Sequence, residues 1–185
     1  MELKDAIKDR RSVRRYEDKR IPREVIKEII DTARFYPSWE NTKIARYYYI
    51  DDKDLIMRLA NEGTNNFQFN MKTFESARGL MIFAYVKGRS GYERDGNLAT
   101  SKGDTWEMFD SGIATLTFSL VAYNYGIGSC ILGIFNEEKI KELLGLGDDL
   151  GISCIMTLGY PSENPITPRR KEVKDILNFV DNFVD

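Results

Sequence analysis

The sequence predicts a single domain that mixes helices with strands, and three features carry that reading. Helix-period and strand-like segments alternate along the chain, with no internal repeat and no composition break to mark a second domain. Residues 79–86, GLMIFAYV, are almost wholly apolar, as in a strand buried on both faces. Residues 105–125, TWEMFDSGIATLTFSLVAYNY, are apolar around most of a helical circumference and belong at the centre. The whole chain, 185 residues, is within the usual span of one domain and can bury a substantial core.

The elements follow in order. Residues 2–9 form a short helix with Leu3, Ala6 and Ile7 on one side, and a cluster of arginines follows it. In IPREVIKEIIDTARFYPSW (21–39), Val25, Ile26, Ile29, Ile30 and Ala33 recur at helical spacing. Pro22 suits the first turn, and Pro37 stops the helix by pushing Tyr36 out of the helical region. PSWENTK (37–43) is a polar loop, RYYYI (46–50) a strand, and 52–61 a helix. After the buried strand comes the one long polar segment, 87–104; a loop of that length is a lid, a binding loop or disordered. Asp104 with Glu107 resembles a capping box opening the long helix. GIGSCILGIF (126–135) is strand-like, 136–144 helical and 152–160 a strand. The tail carries Ile176, Leu177, Phe179, Val180, Phe183 and Val184 with too little chain of its own to cover them, so it packs back or lies on another subunit.

Composition excludes several classes. A net charge of −2 argues against a general nucleic-acid binder. Cys130 and Cys154 are too few for a disulfide framework and are not spaced as a metal site, which suggests a reducing, cytoplasmic compartment. No apolar leader and no run near the roughly 20 residues needed to cross a bilayer is present, so neither a signal peptide nor a membrane span is expected. Histidine is absent altogether. That removes Ser-His-Asp and Cys-His nucleophile systems, His-ligated zinc and imidazole acid–base catalysis. If the chain is an enzyme, a cofactor carries the hard chemistry.

RRSVRRYEDKR, residues 10–20, holds six cationic side chains. Three readings are open. One is a solvated charged face, with Asp9, Glu17 and Asp18 as partners. Another is a nucleic-acid or targeting patch, weakened by the interleaved acids and the overall acidity. The third is a phosphate clamp, because arginine presents a permanently charged planar fork to phosphate oxygens. Spacing favours the third: on a helical turn Arg10 and Arg14 share a side, and in an extended segment Arg10, Ser12 and Arg14 share a face. Val13 points elsewhere and can anchor the segment in the core.

With that cluster in view, the sequence resembles the nitroreductase family of FMN-dependent, NAD(P)H-oxidising enzymes. The resemblance rests on RRSVRRYEDKRIPREVIKEIIDTAR, PSWENTK, GIGSCILGIF, LGYP (158–161) and PRRKEVKDIL (168–177), in the family's order and over nearly the whole chain. It implies an α+β fold, a mixed, mostly antiparallel sheet flanked by helices, in an intertwined homodimer with FMN at the interface. Residues 1–185 would then be a single FMN-binding domain, with 87–104 as a candidate lid and 171–185 as a candidate arm between subunits. The implied reaction moves hydride from NAD(P)H via flavin N5 to a nitroaromatic, quinone or enone-type acceptor, by a ping-pong mechanism. A non-catalytic FMN-binding or redox-sensing protein, and a flavin-fragmenting or dehalogenating offshoot, are the alternatives.

By the same resemblance Arg10, Arg11, Ser12 and Arg14 hold the phosphate, ribityl and pyrimidine atoms of tightly bound, non-covalent FMN, and Arg170 closes on the phosphate. Ser38, Trp39 and Asn41 line the isoalloxazine from the partner subunit, and Asn70 meets the pyrimidine edge. Cys130, Ile131, Leu132 and Gly133 pass one edge of the flavin, with the Gly133 backbone N–H as candidate donor to N5. No side chain need act as acid or base, and no metal is implied. Plainer roles exist: Ser38 and Asn41 as turn formers, Cys130 as a small buried residue, and Gly126, Gly128 and Gly133 as helix terminators and strand kinks. The chain departs from the family where Lys43, Ile44 and Ala45 replace the common Gln-Pro-Trp; a Lys43 facing the flavin would favour a reduced, anionic ring or an acidic substrate.

Overall fold

The strand β1 (Ala45–Ile50), β2 (Gly79–Val86), β3 (Gly128–Leu132) and β4 (Leu150–Gly159) form one antiparallel sheet in the order β1-β2-β4-β3. The computed structural model describes residues 2–64 and 67–180. Its only parallel pairing among the described residues is a single bridge, Ser12 to Ser129, so the mixed character expected of the sheet is confined to that point.

Two helical layers cover the sheet. On one face lie α2 (Arg23–Ala33) and α5 (Thr105–Asn124), with α1 (Leu3–Asp9) against α5. On the other lie α3 (Lys53–Gly63), α4 (Gln68–Ser76) and α6 (Glu137–Leu144). Period-two alternation sorts the strand side chains between these layers. Met81, Phe83, Cys154 and Met156 meet Ile26, Ile29 and Phe118 on the α5 side. Leu80, Ile82 and Ile155 meet Ile56, Leu59, Phe74 and Ile140 on the other. Ile152 and Ile155 are three apart yet share a face, because the register shifts between Phe83 and Ala84. The extra residue is Ser153, whose hydroxyl donates to the Phe83 carbonyl at 3.0 Å. Phe118, wholly buried, contributes about 1.5–3 kcal/mol by leaving water. The two cysteines are free and sit in different layers, with the Cys154 thiol pushed up by burial to about 11.

Element ends follow local chemistry in part. Asp52 caps α3 by accepting from the Leu55 N–H at 2.7 Å, and Asn136 caps α6 through the Lys139 N–H at 3.0 Å. Pro22 precedes α2 as its cap residue, one place earlier than a first-turn proline. The capping box expected at α5 does not form. Asp104 makes no side-chain cap bond, and Glu107 turns away to accept the Gly88 N–H at 2.6 Å. Helix α4 is absent from the sequence reading; it is short, and Phe67 before it offers no side-chain cap. The predicted loop 37–43 contains a short 3-10 turn, Trp39–Asn41.

Residues 87–104 are built rather than formless. Tyr92 bridges Leu98, and the Ala99 N–H donates to Gly91 O at 2.9 Å. Beyond β4 the chain runs over the surface to a 3-10 turn at Val173–Asp175. Ile176, Leu177, Phe179 and Val180 are exposed, which leaves the described part of the tail without packing on its own domain. Phe183 and Val184 lie outside the described residues. No helix among those described is long and apolar enough to cross a membrane.

Candidate functional site

The arginine segment is extended and fastened to the edge of the sheet. The Val13 N–H donates to Ser129 O at 2.9 Å, and the Glu17 N–H donates to Tyr160 O at 2.8 Å. Val13 is buried, as its place as the one apolar residue of the RRSVRR run predicts. Tyr16 is the lock: its hydroxyl donates to Val13 O at 2.5 Å and lies 2.8 Å from Thr157 Oγ1. Burial holds that phenol far above its usual range. The missing side chain of Gly128 has a plain use here, since a Cβ would come within 3.0 Å of Val13 Cβ and 2.9 Å of Pro161 Cγ. Gly126, at φ +73°, ends α5, so it fits the terminator reading.

This fastening sorts the cations of residues 10–20. Arg20 pairs with Asp51 at 2.7 Å; Arg23, bound to the same carboxylate, is the larger pull and with Arg20 holds it well below the usual range. Lys19 stands 4.0 Å over the Tyr160 ring. The Arg11 guanidinium donates to Thr167 Oγ1 at 2.5 Å and to Lys8 O at 2.6 Å, so it ties the N-terminal segment to the chain beyond β4. Arg10 and Arg14 stay open: Arg14 makes one long bond, 3.3 Å to Ser12 O, and Arg10 has no side-chain hydrogen bond among the described residues. The Glu163 carboxylate is satisfied by backbone, accepting from Arg14 N–H at 2.6 Å and Arg15 N–H at 3.2 Å.

Arg10, Arg11, Ser12, Arg14 and Arg170 line one cavity of about 310 Å³, closed by Pro165, Ile166 and Pro168. None of these four arginines is in an ion pair among the described residues. Convergent like charges raise the energy of an empty site and lower it sharply once an anion enters. Cys130 lies beneath. Burial pushes its thiol up, against the opposing pull of Arg14 and Arg10 and a bond from Ser12, which suits a small packed residue better than a nucleophile. Ile131 is half exposed beside it, Leu132 is buried, and Gly133 has open space where a Cβ would be.

Ser38, Trp39 and Asn41 are elsewhere. The Trp39 N–H donates to Asp110 on α5 at 2.9 Å, whereas the arginine segment reaches α5 through Ser129, whose hydroxyl is 3.1 Å from that of Ser119. Asp110 and Ser119 are about 13 Å apart along the helix. Within one chain the two predicted sets therefore occupy separate regions. Asn70 is half-buried on α4; among the described residues that helix is hydrogen-bonded to the arginine segment through Ser76, which accepts from the Tyr16 N–H at 3.0 Å and donates to Arg14 O at 3.3 Å.

The loop holding the second set is strained. Glu40, Asn41 and Lys43 have φ of 41°, 59° and 47°, left-handed values that cost a non-glycine residue about 1–3 kcal/mol each. Ser38 Oγ accepts from the Lys43 N–H at 3.0 Å, and Thr42 Oγ1 donates to Trp39 O at 2.8 Å. The Lys43 ammonium donates to Tyr36 O and lies 4.9 Å from the Tyr36 ring, so its charge is turned onto the loop's own base. Sequence reasoning missed Ser90 and Asp110 and read Glu107 as a capping-box partner, though all three hold this region together; acids early in a helix look like ordinary cap or dipole partners.

A family model described as the nitroreductase family matches residues 7–78 and 70–160. A curated Archaeoglobus fulgidus protein, provisionally named NADH dehydrogenase/NAD(P)H nitroreductase, is 27% identical over 94% of this chain and 88% of its own. The crystal structure of a nitroreductase family protein from Clostridium novyi NT superposes with a TM-score of 0.75 at 27% identity, covering 91% of this chain and 89% of that one. That of an FMN-dependent nitroreductase from Clostridium difficile R20291 does so with a TM-score of 0.75 at 23% identity, over 96% and 98% of the two chains.

Proposed function

Because the chain belongs to the nitroreductase family, we propose that it is an FMN-dependent NAD(P)H oxidoreductase reducing a nitroaromatic, quinone or enone-type acceptor. The observation that carries this reading is the convergence of Arg10, Arg14 and Arg170, from both ends of the chain, on one cavity with no carboxylate in an ion pair there among the described residues. A phosphate monoester dianion fits that donor set: two or three guanidinium forks and the Ser12 hydroxyl offset its charge. Arg11 contributes from a position fixed by Thr167, and so keeps the Arg170 segment against the N-terminal one. Names carried by similar proteins, with NADH or NAD(P)H in one and FMN in another, agree with the reading.

FMN, when bound, supplies the two-electron chemistry at its N5 position. The chain's own residues bind and orient. Arg10, Arg14, Ser12 and Arg170 hold the phosphate end. Cys130, Ile131 and Leu132 end the edge strand β3 just before the Gly133 N–H, and the half-exposed Ile131 offers an apolar surface to a ring. Orientation of donor and acceptor against a fixed ring supplies a large part of the rate, on the order of several kcal/mol.

Ser38, Trp39 and Asn41 serve the site of a second copy in this reading. Their distance from the arginines within one chain supports a homodimer with the cofactor between subunits. Exposed Phe109, Leu116 and Met108 on α5 and the uncovered tail are apolar surface that such a dimer would bury. The test is steady-state kinetics on FMN-loaded protein. Reciprocal plots for NADH against 4-nitrobenzoate at several acceptor concentrations should run parallel; intersecting lines would exclude alternation of donor and acceptor at one face.

A further inference from the structure

The first two turns of α5 bury two carboxylates, Glu107 and Asp110, which are 5% and 1% exposed. Neither is in an ion pair among the described residues. A buried charge without a counter-ion is costly unless hydrogen bonds replace its water. Loop donors do so here. Glu107 accepts the Gly88 N–H at 2.6 Å. One oxygen of Asp110 accepts both Ser90 Oγ–H, at 2.5 Å, and the Trp39 N–H, at 2.9 Å. The two loops are therefore joined at a single atom. Elsewhere the loops meet at their bases, where the Val86 N–H donates to Ile44 O at 3.0 Å, and the one carrying Trp39 holds three left-handed non-glycine residues that need outside support.

Between the joined loops lies a cavity of about 370 Å³, walled by Glu40 and Thr42 from one and by Arg89, Tyr92 and Arg94 from the other. The wall exists only while the loops stay in register. The Trp39 ring meets Trp106 edge-on at 5.3 Å, and its Nε1 is buried without a partner among the described residues, as is the second oxygen of Asp110. A core built for stability alone would not leave those atoms unsatisfied.

The geometry points to Asp110 as a positioning residue that, through Ser90 and Trp39, holds residues 38–43 and 88–96 together and so sets how tightly the electron acceptor is bound. This rests on the oxidoreductase reading, in which Ser38, Trp39 and Asn41 line the ring against which the acceptor is placed. Asp110 touches neither cofactor nor substrate in this scheme. Its effect falls on acceptor affinity and leaves the chemical step alone.

The test uses Asp110→Ala, Asp110→Asn and Ser90→Ala in the full chain, loaded with FMN and assayed with NADH and 4-nitrobenzoate. Asp110→Ala and Ser90→Ala should raise the acceptor KM roughly tenfold with kcat within about twofold and FMN content unchanged, the loss expected from one charge-assisted hydrogen bond. Asp110→Asn, whose amide oxygen still accepts both donors, should restore most of the affinity. Both tryptophans of the chain sit in this cluster, so the emission of the FMN-free protein reads the clamp independently of turnover. It should shift to the red in Ser90→Ala and Asp110→Ala and stay near wild type in Asp110→Asn. Unchanged KM and emission in Ser90→Ala would overturn the proposal, as would a parallel fall of kcat and FMN content in all three variants. Should Asp110→Ala not fold, Ser90→Ala decides. If wild type reduces no acceptor, the oxidoreductase reading fails, and the emission of Ser90→Ala still rules for or against the clamp.

Discussion

Replacing Arg14 by alanine removes a guanidinium that the fold barely uses. Among the described residues its side chain donates only to Ser12 O at 3.3 Å, while the backbone N–H that Glu163 accepts at 2.6 Å is retained in the variant. Thermal stability should therefore move by less than about 0.5 kcal/mol, the range for surface changes away from special features. Ligand binding should respond far more. A hydrogen bond between a guanidinium and a phosphate dianion contributes about 1.5–3 kcal/mol, and solvent at this exposed position favours the lower end. That corresponds to about a tenfold rise in Kd for FMN. Quenching of flavin fluorescence on titration into FMN-free protein measures it, and raising salt should narrow the gap between wild type and variant. Arg15→Ala is the control, because Arg15 shares the exposure of Arg14 but does not line the cavity. Equal Kd for Arg14→Ala and wild type, or an equal loss in Arg15→Ala, would refute the clamp.

Three further outcomes follow from the same contacts. Tyr16→Phe leaves Val13 O without its 2.5 Å donor and should cost about 1–3 kcal/mol by denaturant titration, with weaker FMN binding because the arginine segment loosens. Asp51→Asn should lower stability at neutral pH by about 1 kcal/mol, since both partners are exposed arginines. The depressed carboxyl of Asp51 makes that contribution complete above its ordinary value of 3.8 and lost as pH falls below it, so wild type and variant should converge in acid. Truncation after Glu172 removes the exposed Ile176, Phe179 and Val180 and should weaken self-association more than about 100-fold by sedimentation, with little change in secondary structure.

Much of this architecture is legible in the residues themselves. The apolar run 79–86 is a strand at its expected limits, and α5 is central because its small and aromatic residues meet every strand. Local signals fail where a distant partner decides. Glu107 looks like the third residue of a capping box, yet it bonds to Gly88, which reaches it only because residues 87–104 fold over α5. Arg11 is indistinguishable from Arg10 in a run of arginines; Thr167, 156 positions away, separates their roles. Helix α4 carries only Thr73 and Phe74 fully buried, too few for a periodic stripe, and tertiary packing against α3 forms it. The shared face of Arg10, Ser12 and Arg14 is legible in their spacing along an extended segment, whereas Arg170 joins them in the cavity from a position that only the resemblance suggested. The separation of Ser38, Trp39 and Asn41 from that cavity within one chain carries no local signal and was implied only by the family resemblance, because it depends on how α5 spans the sheet.

In the proposed function, guanidinium groups from the two chain ends hold a flavin mononucleotide which a nicotinamide can reduce. The most direct measurement is the visible spectrum of FMN-loaded protein, titrated without oxygen with NADH and, separately, NADPH. Bleaching of the flavin bands by at least one nicotinamide, reversed by an added quinone, is the predicted result. Bound flavin that stays yellow with both would mean a protein that keeps the cofactor without turning it over, and a protein that never takes up FMN would remove the claim altogether.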